Sequence, residues 1–408
     1  MSSKTDVIKV LFVLNGLTHY FNKVLNKLNS LNEYEIEVLV PAKKNESLGT
    51  GVYTTDEGIK FKVHKLYEIR TYYRKQFFKK FLNLVNNIKP QIIILIWPYI
   101  LQILFNPILS LKLKKNNIKI IYKDIPFQLV KFNDGLCLKH PGIRNEKVVF
   151  RQPTIIERVN LFFLSLIRKY IYSKVDANAN YTEEAIELLQ SYGVSRNKIF
   201  ITYNSPDTDN LFEASIKAAE FDPILPINKN RIISVGRLVN WKRTDLLIKS
   251  LKILTSKIYD IELIIIGTGP QEEKLKKMSQ EMNLNKNIKF VGAVYDPILL
   301  ARYFLSSSVF VQPGMGGLAI NEAMCFGKPI VCSVCDGTEK KLVREGYNGI
   351  YFKEGSEADL AEKIYYLMNN QVLIKSMGEN SLSIIKNEIN ISTVVAGYEK
   401  ALKYLSNK

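Results

Sequence analysis

Cysteine, histidine and acid are all scarce in this chain, and each shortage excludes something. Among 408 residues there are four cysteines, Cys137, Cys325, Cys332 and Cys335, and three histidines. Four cysteines are too few for a disulfide scaffold of this size and point to a reducing compartment. Cys332 and Cys335 form a CxxC, but no second pair and no nearby histidine completes a zinc site. The pair reads as the flank of a buried strand, "PIVCSVC". With so few histidines, no catalytic metal and no cofactor is expected.

Long apolar runs are also missing. The longest candidate, "IIILIWPYILQILFNPILSLKL" at 92–113, is broken by Pro98, Gln102, Asn106 and Pro107. It reads as a strand over 92–97, a turn at Pro98 and then a helix, rather than as a membrane span. The first apolar run, "VIKVLFVL", has strand length and no cleavage site follows it, so a cytoplasmic protein is expected. Acid is outnumbered: 39 Asp and Glu face 57 Lys and Arg, a net charge of +18. The excess is uneven, +15 in residues 1–205 and +3 in 206–408. A basic half and a near-neutral half suggest two domains with different partners. The basic half suits nucleic acid, an anionic membrane or an acidic substrate, but no zinc-finger, RRM or KH signature supports nucleic acid.

What the chain has in abundance is apolar β-branched runs alternating with helical patterns. "VIKVLFVL", "YEIEVLVP", "QIIILIW", "IKIIYKD", "DANAN", "RIISVG", "IELIIIG" and "VFVQP" read as strands, and "TEEAIELLQSYG" and "RTDLLIKSLKIL" as helices between them. Such alternation builds parallel sheets covered by helices. The number of strands predicts two doubly wound α/β domains, 1–205 and 206–385, facing each other across a cleft. A last helix, 386–408, is expected to pack back on the first domain.

Three strand-to-helix junctions in the second half have phosphate-site character. In "ISVGRLVNWKRTDLLI", Gly236 ends a strand and Arg237 and Lys242 precede a helix. In "LIIIGTGPQEEKL", Gly267 and Gly269 follow a strand and Pro270 opens a helix. In "PGMGGLAINEAMCFGKPIVC", three glycines precede a helix carrying Glu322. Dense glycine lets backbone approach a ligand, and a helix start presents N–H groups to an anion.

These motifs, with "DGTEKKLVREGYNGIYF" and the upstream "ANANYTEEAIELLQSYGVSRNKIFITYNSPDTDNLF", resemble the retaining glycosyltransferases of family 4, which have the GT-B fold. The resemblance spans about 175–370. It implies that Arg237 and Lys242 hold a donor diphosphate and stabilise it as it leaves. Glu322 would bond the ribose hydroxyls, although a glutamate one turn into a helix can also simply complement its dipole. Gly316, Gly317 and Leu318 would lie against the donor sugar and phosphate, and Gly16, after the first strand, would let backbone approach the donor. It also implies a bacterial surface-polysaccharide enzyme that takes a nucleotide-sugar donor and a lipid-linked or other glycan acceptor.

The sequence departs from the family pattern at two places. A second glutamate, eight residues before the first, is here Gly314. The usual first-domain histidine is replaced in "IIYKDIPF" by Lys123 and Asp124. Asp124, as an acceptor-orienting carboxylate or a turn residue, and His19, in "LNGLTHYF", are the catalytic candidates. Asp207 and Asp209 form an Asp-x-Asp but fall outside the expected donor site, so metal binding is not assigned to them. "IRTYYRKQFFKKFLNLV" (69–85) reads as an interfacial helix that sets Arg74, Lys75, Lys79 and Lys80 on an anionic membrane at the inner face of the plasma membrane. "LFFLSLIRKYIYSK" (161–174) reads as core. A nucleotide-sugar epimerase, a silent partner subunit and a nucleic-acid binder are the competing readings.

Overall fold

The computed structural model describes residues 7–43, 53–70, 76–124, 130–137, 143–144, 150–334 and 339–407. The chain divides into two compact units: 1–143 with 151–203 and 392–408, and 144–150 with 204–391.

In the first unit, β1 (Ile8–Val13), α1 (His19–Asn29), β2 (Tyr34–Pro41) and β3 (Lys62–Leu66) are followed by β4 (Glu68–Arg70), β5 (Gln76–Phe78), α2 (Phe81–Ile88), β6 (Ile92–Leu95), α3 (Tyr99–Leu104), α4 (Pro107–Lys115) and β7 (Lys119–Asp124). Then come α5 (Phe132–Leu136), the two-stranded pair β8 (Ile143–Arg144) and β9 (Phe150–Arg151), of which Arg144 and Phe150 belong to the second unit, α6 (Ile155–Lys174), β10 (Ala177–Asn180), α7 (Glu184–Ser191) and β11 (Ile199–Ile201). Seven strands form one parallel sheet in the order β11-β10-β7-β6-β1-β2-β3. Its central strands are apolar without alternation because helices cover both faces. Val10, Leu11, Phe12 and Val13 of β1 are all fully buried.

The second unit holds α8 (Thr208–Ala218), β12 (Arg231–Val235), α9 (Thr244–Leu254), β13 (Glu262–Ile266), α10 (Glu272–Glu281), β14 (Ile288–Gly292), α11 (Pro297–Leu305), β15 (Val309–Gln312) and α12 (Leu318–Cys325). It continues with β16 (Ile330–Cys332), α13 (Glu339–Leu342), β17 (Gly349–Tyr351), α14 (Glu357–Met368) and α15 (Gln371–Asn387). The parallel sheet runs β14-β13-β12-β15-β16-β17. The last helix, α16 (Ile391–Ser406), returns to the first unit, where Tyr398 packs edge-on against Phe12 and Phe21.

Each sheet changes winding direction once. Successive strands run outward from β1 through β2 to β3 on one side and through β6 and β7 on the other. In the second sheet the reversal lies between β12 and β15. Such reversals open a crevice beyond the carboxyl ends of the two strands, where doubly wound folds take their ligands.

The expected helix over 69–85 does not form. β4 and β5 pair antiparallel, and the helix begins only at Phe81. Phe78 is 2% exposed and stacks on Tyr99 with ring centroids 4.5 Å apart. The Gln102 side chain bonds both backbone groups of Phe78. A strand satisfies that pairing and a helix does not. Lys79 and Lys80 are exposed in the turn before α2, while Arg74 and Lys75 lie outside the described residues. The stretch 161–174 is core on one side only. Leu161, Ser165, Ile171 and Tyr172 of α6 are buried, but Phe163 is 57% and Tyr170 43% exposed. Among the described residues, no helix is long and apolar enough to cross a membrane.

Candidate functional site

The β12–β15 reversal is where the three glycine junctions meet. Gly236 leaves β12 with φ +150° and donates its N–H to Ile266 O at 2.9 Å. Leu238 N–H in turn donates to Thr268 O at 2.9 Å, so the loops after β12 and β13 run against each other. That approach explains two glycines. A Cβ on Gly267 would stand 1.9 Å from Gly236 O, and one on Gly269 would stand 2.4 Å from Leu238 O. Gly267 and Gly269, expected beside the donor, have here a packing reason that needs no ligand.

After Gly236 the chain passes through a 3-10 turn, Asn240–Lys242, and Arg243 in the left-handed region turns it into α9. The glycine loop after β15 packs onto this turn. Met315 N–H donates to Trp241 O at 2.9 Å, and a Cβ on Gly314 would meet Trp241 O at 2.3 Å and Lys242 C at 2.7 Å. The glycine where the family has a glutamate is therefore the residue that lets the two loops touch.

This packing sets Lys242. Its Nζ donates to Met315 O at 2.9 Å and to Gly316 O, at the start of α12. A cation is thereby fixed inside a glycine loop, where helix N–H groups add to its field. Arg237 shares the crevice with Lys242 and lies 5.8 Å from the Trp241 ring centre. Ser234, Thr244 and Gln312 add polar side chains to a lining that also holds the apolar Val235, Leu238, Ile265 and Ile266. Gln312, 2% exposed, holds a buried Oε1 without a hydrogen-bond partner among the described residues. It was not singled out from the sequence, although a polar residue ending the apolar "VFVQ" was the available signal.

Gly317 (φ +123°) caps α12, and Leu318 opens it. Glu322 follows one turn later. Burial raises its carboxyl to about 7, against the opposing pull of the Lys242 ammonium. A carboxylate so placed accepts hydroxyl donors strongly once it is ionised.

In the first unit, Asn15 and Gly16 lie just beyond β1, and His19 opens α1. His19 is exposed but touches the rings of Tyr20 and Tyr53, and the partial loss of water there lowers its pKa, which favours the neutral imidazole. Asp124 ends β7, two strands from β1 and so about 10 Å away at ordinary strand spacing. Asp124 accepts from the Tyr172 hydroxyl at 2.9 Å, and Lys123 points to the other face, 3.9 Å above the Phe21 ring. Beside Asp124, the β10 asparagines Asn178 and Asn180 are each 1% exposed, and their side-chain atoms have no partner among the described residues. These buried amides were also passed over in the strand "DANAN".

Asp207 caps α8 by accepting from Asn210 N, and Asp209 sits in the first turn of that helix. Among the described residues no group of three or more His, Cys, Asp or Glu is placed around a common point to hold a metal.

Residues 215–384 match the Glycosyl transferases group 1 family. A capsular polysaccharide biosynthesis glycosyltransferase of Staphylococcus aureus is 30% identical over 170 residues, 40% of this chain and 43% of that protein. The chain spans about half the length, or less, of the first curated relatives it matches. Solved structures align along nearly the whole chain. Sucrose-phosphate synthase from Thermosynechococcus elongatus gives a TM-score of 0.67 at 14% identity and covers 98% of this chain and 99% of that one. The Anabaena protein HepE in complex with UDP-glucose gives 0.62 at 14% identity and covers 98% and 100%. At such identity the likeness speaks for the fold. The two parallel α/β units make a GT-B fold, and the match to the Glycosyl transferases group 1 family falls within the second unit.

Proposed function

We propose that the protein is a retaining glycosyltransferase of family 4, moving a sugar from a nucleoside-diphosphate-sugar to a lipid-linked glycan at the inner face of the plasma membrane, in cell-surface polysaccharide synthesis. The observation that carries this reading is Lys242, whose ammonium is fixed in the glycine loop beside Arg237 at the strand reversal of the second unit. The second unit holds the donor and the first receives the acceptor.

The chemistry follows from those groups. Arg237 and Lys242 bind the diphosphate and neutralise the charge that grows on it as the glycosidic bond breaks. Fixed cations act there without reorganisation, so no metal is required. Glu322 accepts the ribose hydroxyls and sets the nucleotide's depth. Leu318 and the backbone of Gly316 and Gly317 lie along the sugar and phosphate. Gly314 offers no carboxylate to the hexose, so sugar choice rests on backbone and on residues outside the family's usual pair. The acceptor oxygen attacks on the face the diphosphate leaves, and positioning dominates the rate. His19, held neutral beside Gly16, is the first-unit candidate to orient that oxygen, and Asp124 is the alternative.

The test is release of nucleoside diphosphate from a panel of UDP-, GDP-, ADP- and dTDP-sugars, beginning with UDP-glucose, with and without a polyprenyl-diphosphate glycan. Acceptor-dependent release with the anomeric configuration kept is expected. An epimerised donor without transfer, or no reaction with any donor, would overturn the proposal.

A further inference from the structure

The α6 helix carries an apolar stripe that the described residues leave uncovered. A capping box, Thr154 with Glu157, fixes where the helix starts. Its 20 residues lie with Leu161, Ser165 and Tyr172 inward. On the opposite side Ile156 (74% exposed), Val159, Phe163 (57%), Leu166, Ile167 and Tyr170 recur at spacings of three, four and one, one continuous stripe of helical period. The stripe does not end with the helix. Phe105, 59% exposed, stacks on Tyr170 with ring centroids 6.4 Å apart. From there α4 continues the surface with Ile108 (72%) and Leu111 (67%). Apolar surface this continuous is unlike the scattered exposed residues of a soluble monomer.

Cations border it. Lys112, Lys114 and Lys115 of α4 are exposed, as are Lys169 and Lys174 of α6, and the Lys174 Nζ lies 5.5 Å from the Tyr170 ring centre. Acid is nearly absent: residues 99–115 contain none, and α6 has only Glu157, which is engaged in its cap. An apolar stripe on a helix about 30 Å long, edged by lysine, fits a helix that lies in a bilayer interface and does not cross it. A second copy of the chain would set the same lysines against each other, which opposes self-pairing.

We propose that α6, with the exposed face of α4, is the surface by which this protein docks on an anionic bilayer. The interfacial element is thus 155–174 with 105–115, in place of the helix expected over 69–85. The proposal rests on the membrane-associated acceptor proposed above but is tested apart from it, with vesicles that contain no glycan and no nucleotide.

The experiment is flotation of the full chain with phosphatidylcholine vesicles, with and without about one-third phosphatidylglycerol, from low salt to 1 M, where the Debye length is about 3 Å. The wild type is expected to float with anionic vesicles and to be released by salt. I156N/F163N/I167N and K112E/K115E should each lose at least tenfold in partition while keeping the wild-type melting temperature. K79E/K80E should float as the wild type does. Both the wild type and I156N/F163N/I167N should keep equal transfer to an acceptor dissolved in detergent. The proposal falls if the wild type stays unbound, if the α6 and α4 variants float normally, or if K79E/K80E alone abolishes flotation. It also falls if sedimentation finds a wild-type dimer that I156N/F163N/I167N dissolves, since a second copy would then cover the face.

Discussion

Replacing Glu322 by Gln should stabilise the free protein while damaging its site. The carboxyl titrates near 7 in the folded chain against 4.5 for an ordinary glutamate, because burial disfavours its charge. Between those two values the folded state holds a proton that the unfolded chain has released. Stability therefore falls as pH rises through the window from 4.5 to 7, and the loss is complete above it. At 1.36 kcal/mol per pH unit the loss is about 3 kcal/mol. An amide carries no charge, so Glu322→Gln escapes that loss. At pH 8 the variant should melt roughly 5–10 °C above the wild type, and at pH 4.5 the two should nearly coincide. Nucleoside diphosphate should invert the order. Ribose hydroxyls donating to the carboxylate favour its charged form, so binding near pH 6 should release a proton from the wild type but not from the variant. The assays are differential scanning calorimetry across pH and titration calorimetry in two buffers of different ionisation enthalpy. A melting difference that does not change between pH 4.5 and 8 would refute the reasoning.

Other expectations follow from the same geometry. Arg237→Ala or Lys242→Ala should lower turnover at least tenfold with the fold intact by circular dichroism, since a charge-assisted hydrogen bond contributes about 1.5–3 kcal/mol. Gly314→Ala should destabilise the second unit by about 1–3 kcal/mol in urea unfolding, because its Cβ would fall 2.3 Å from Trp241 O and that neighbour is backbone. A 2′,3′-dideoxy nucleotide should bind the wild type far more weakly than the parent does, with a smaller difference in Glu322→Gln. EDTA should leave transfer intact, and restoration of lost activity by Mn²⁺ or Mg²⁺ would count against the two-cation reading.

Much of this architecture could be read from the residues because buried parallel strands write themselves as unbroken apolar runs, "VLFV" and "LIII" among them. The glycine junctions were legible as places of close approach. The structure adds that Gly267, Gly269 and Gly314 serve loop-on-loop packing, which no single loop's sequence reveals. The stretch 69–85 misled because aromatic and basic residues there fit a period of two as well as 3.6, and the partner that decides, Gln102, is distant in sequence. The 161–174 segment is apolar on most sides, so its pattern did not say which side the core would take. Gln312, Asn178 and Asn180 stayed hidden because a polar residue inside an apolar strand signals nothing until its neighbours are known.

The central claim is that the β12–β15 crevice grips a diphosphate through Arg237 and Lys242. Its most direct test is calorimetric titration of UDP, GDP, ADP and dTDP into the wild type, Arg237→Ala and Lys242→Ala. One of the four should bind the wild type with a measurable affinity that falls at least tenfold in each variant, while the corresponding nucleoside, which lacks phosphate, loses little. If none of the four binds, or if the preferred nucleotide binds both variants as tightly as it binds the wild type, the site has been misread.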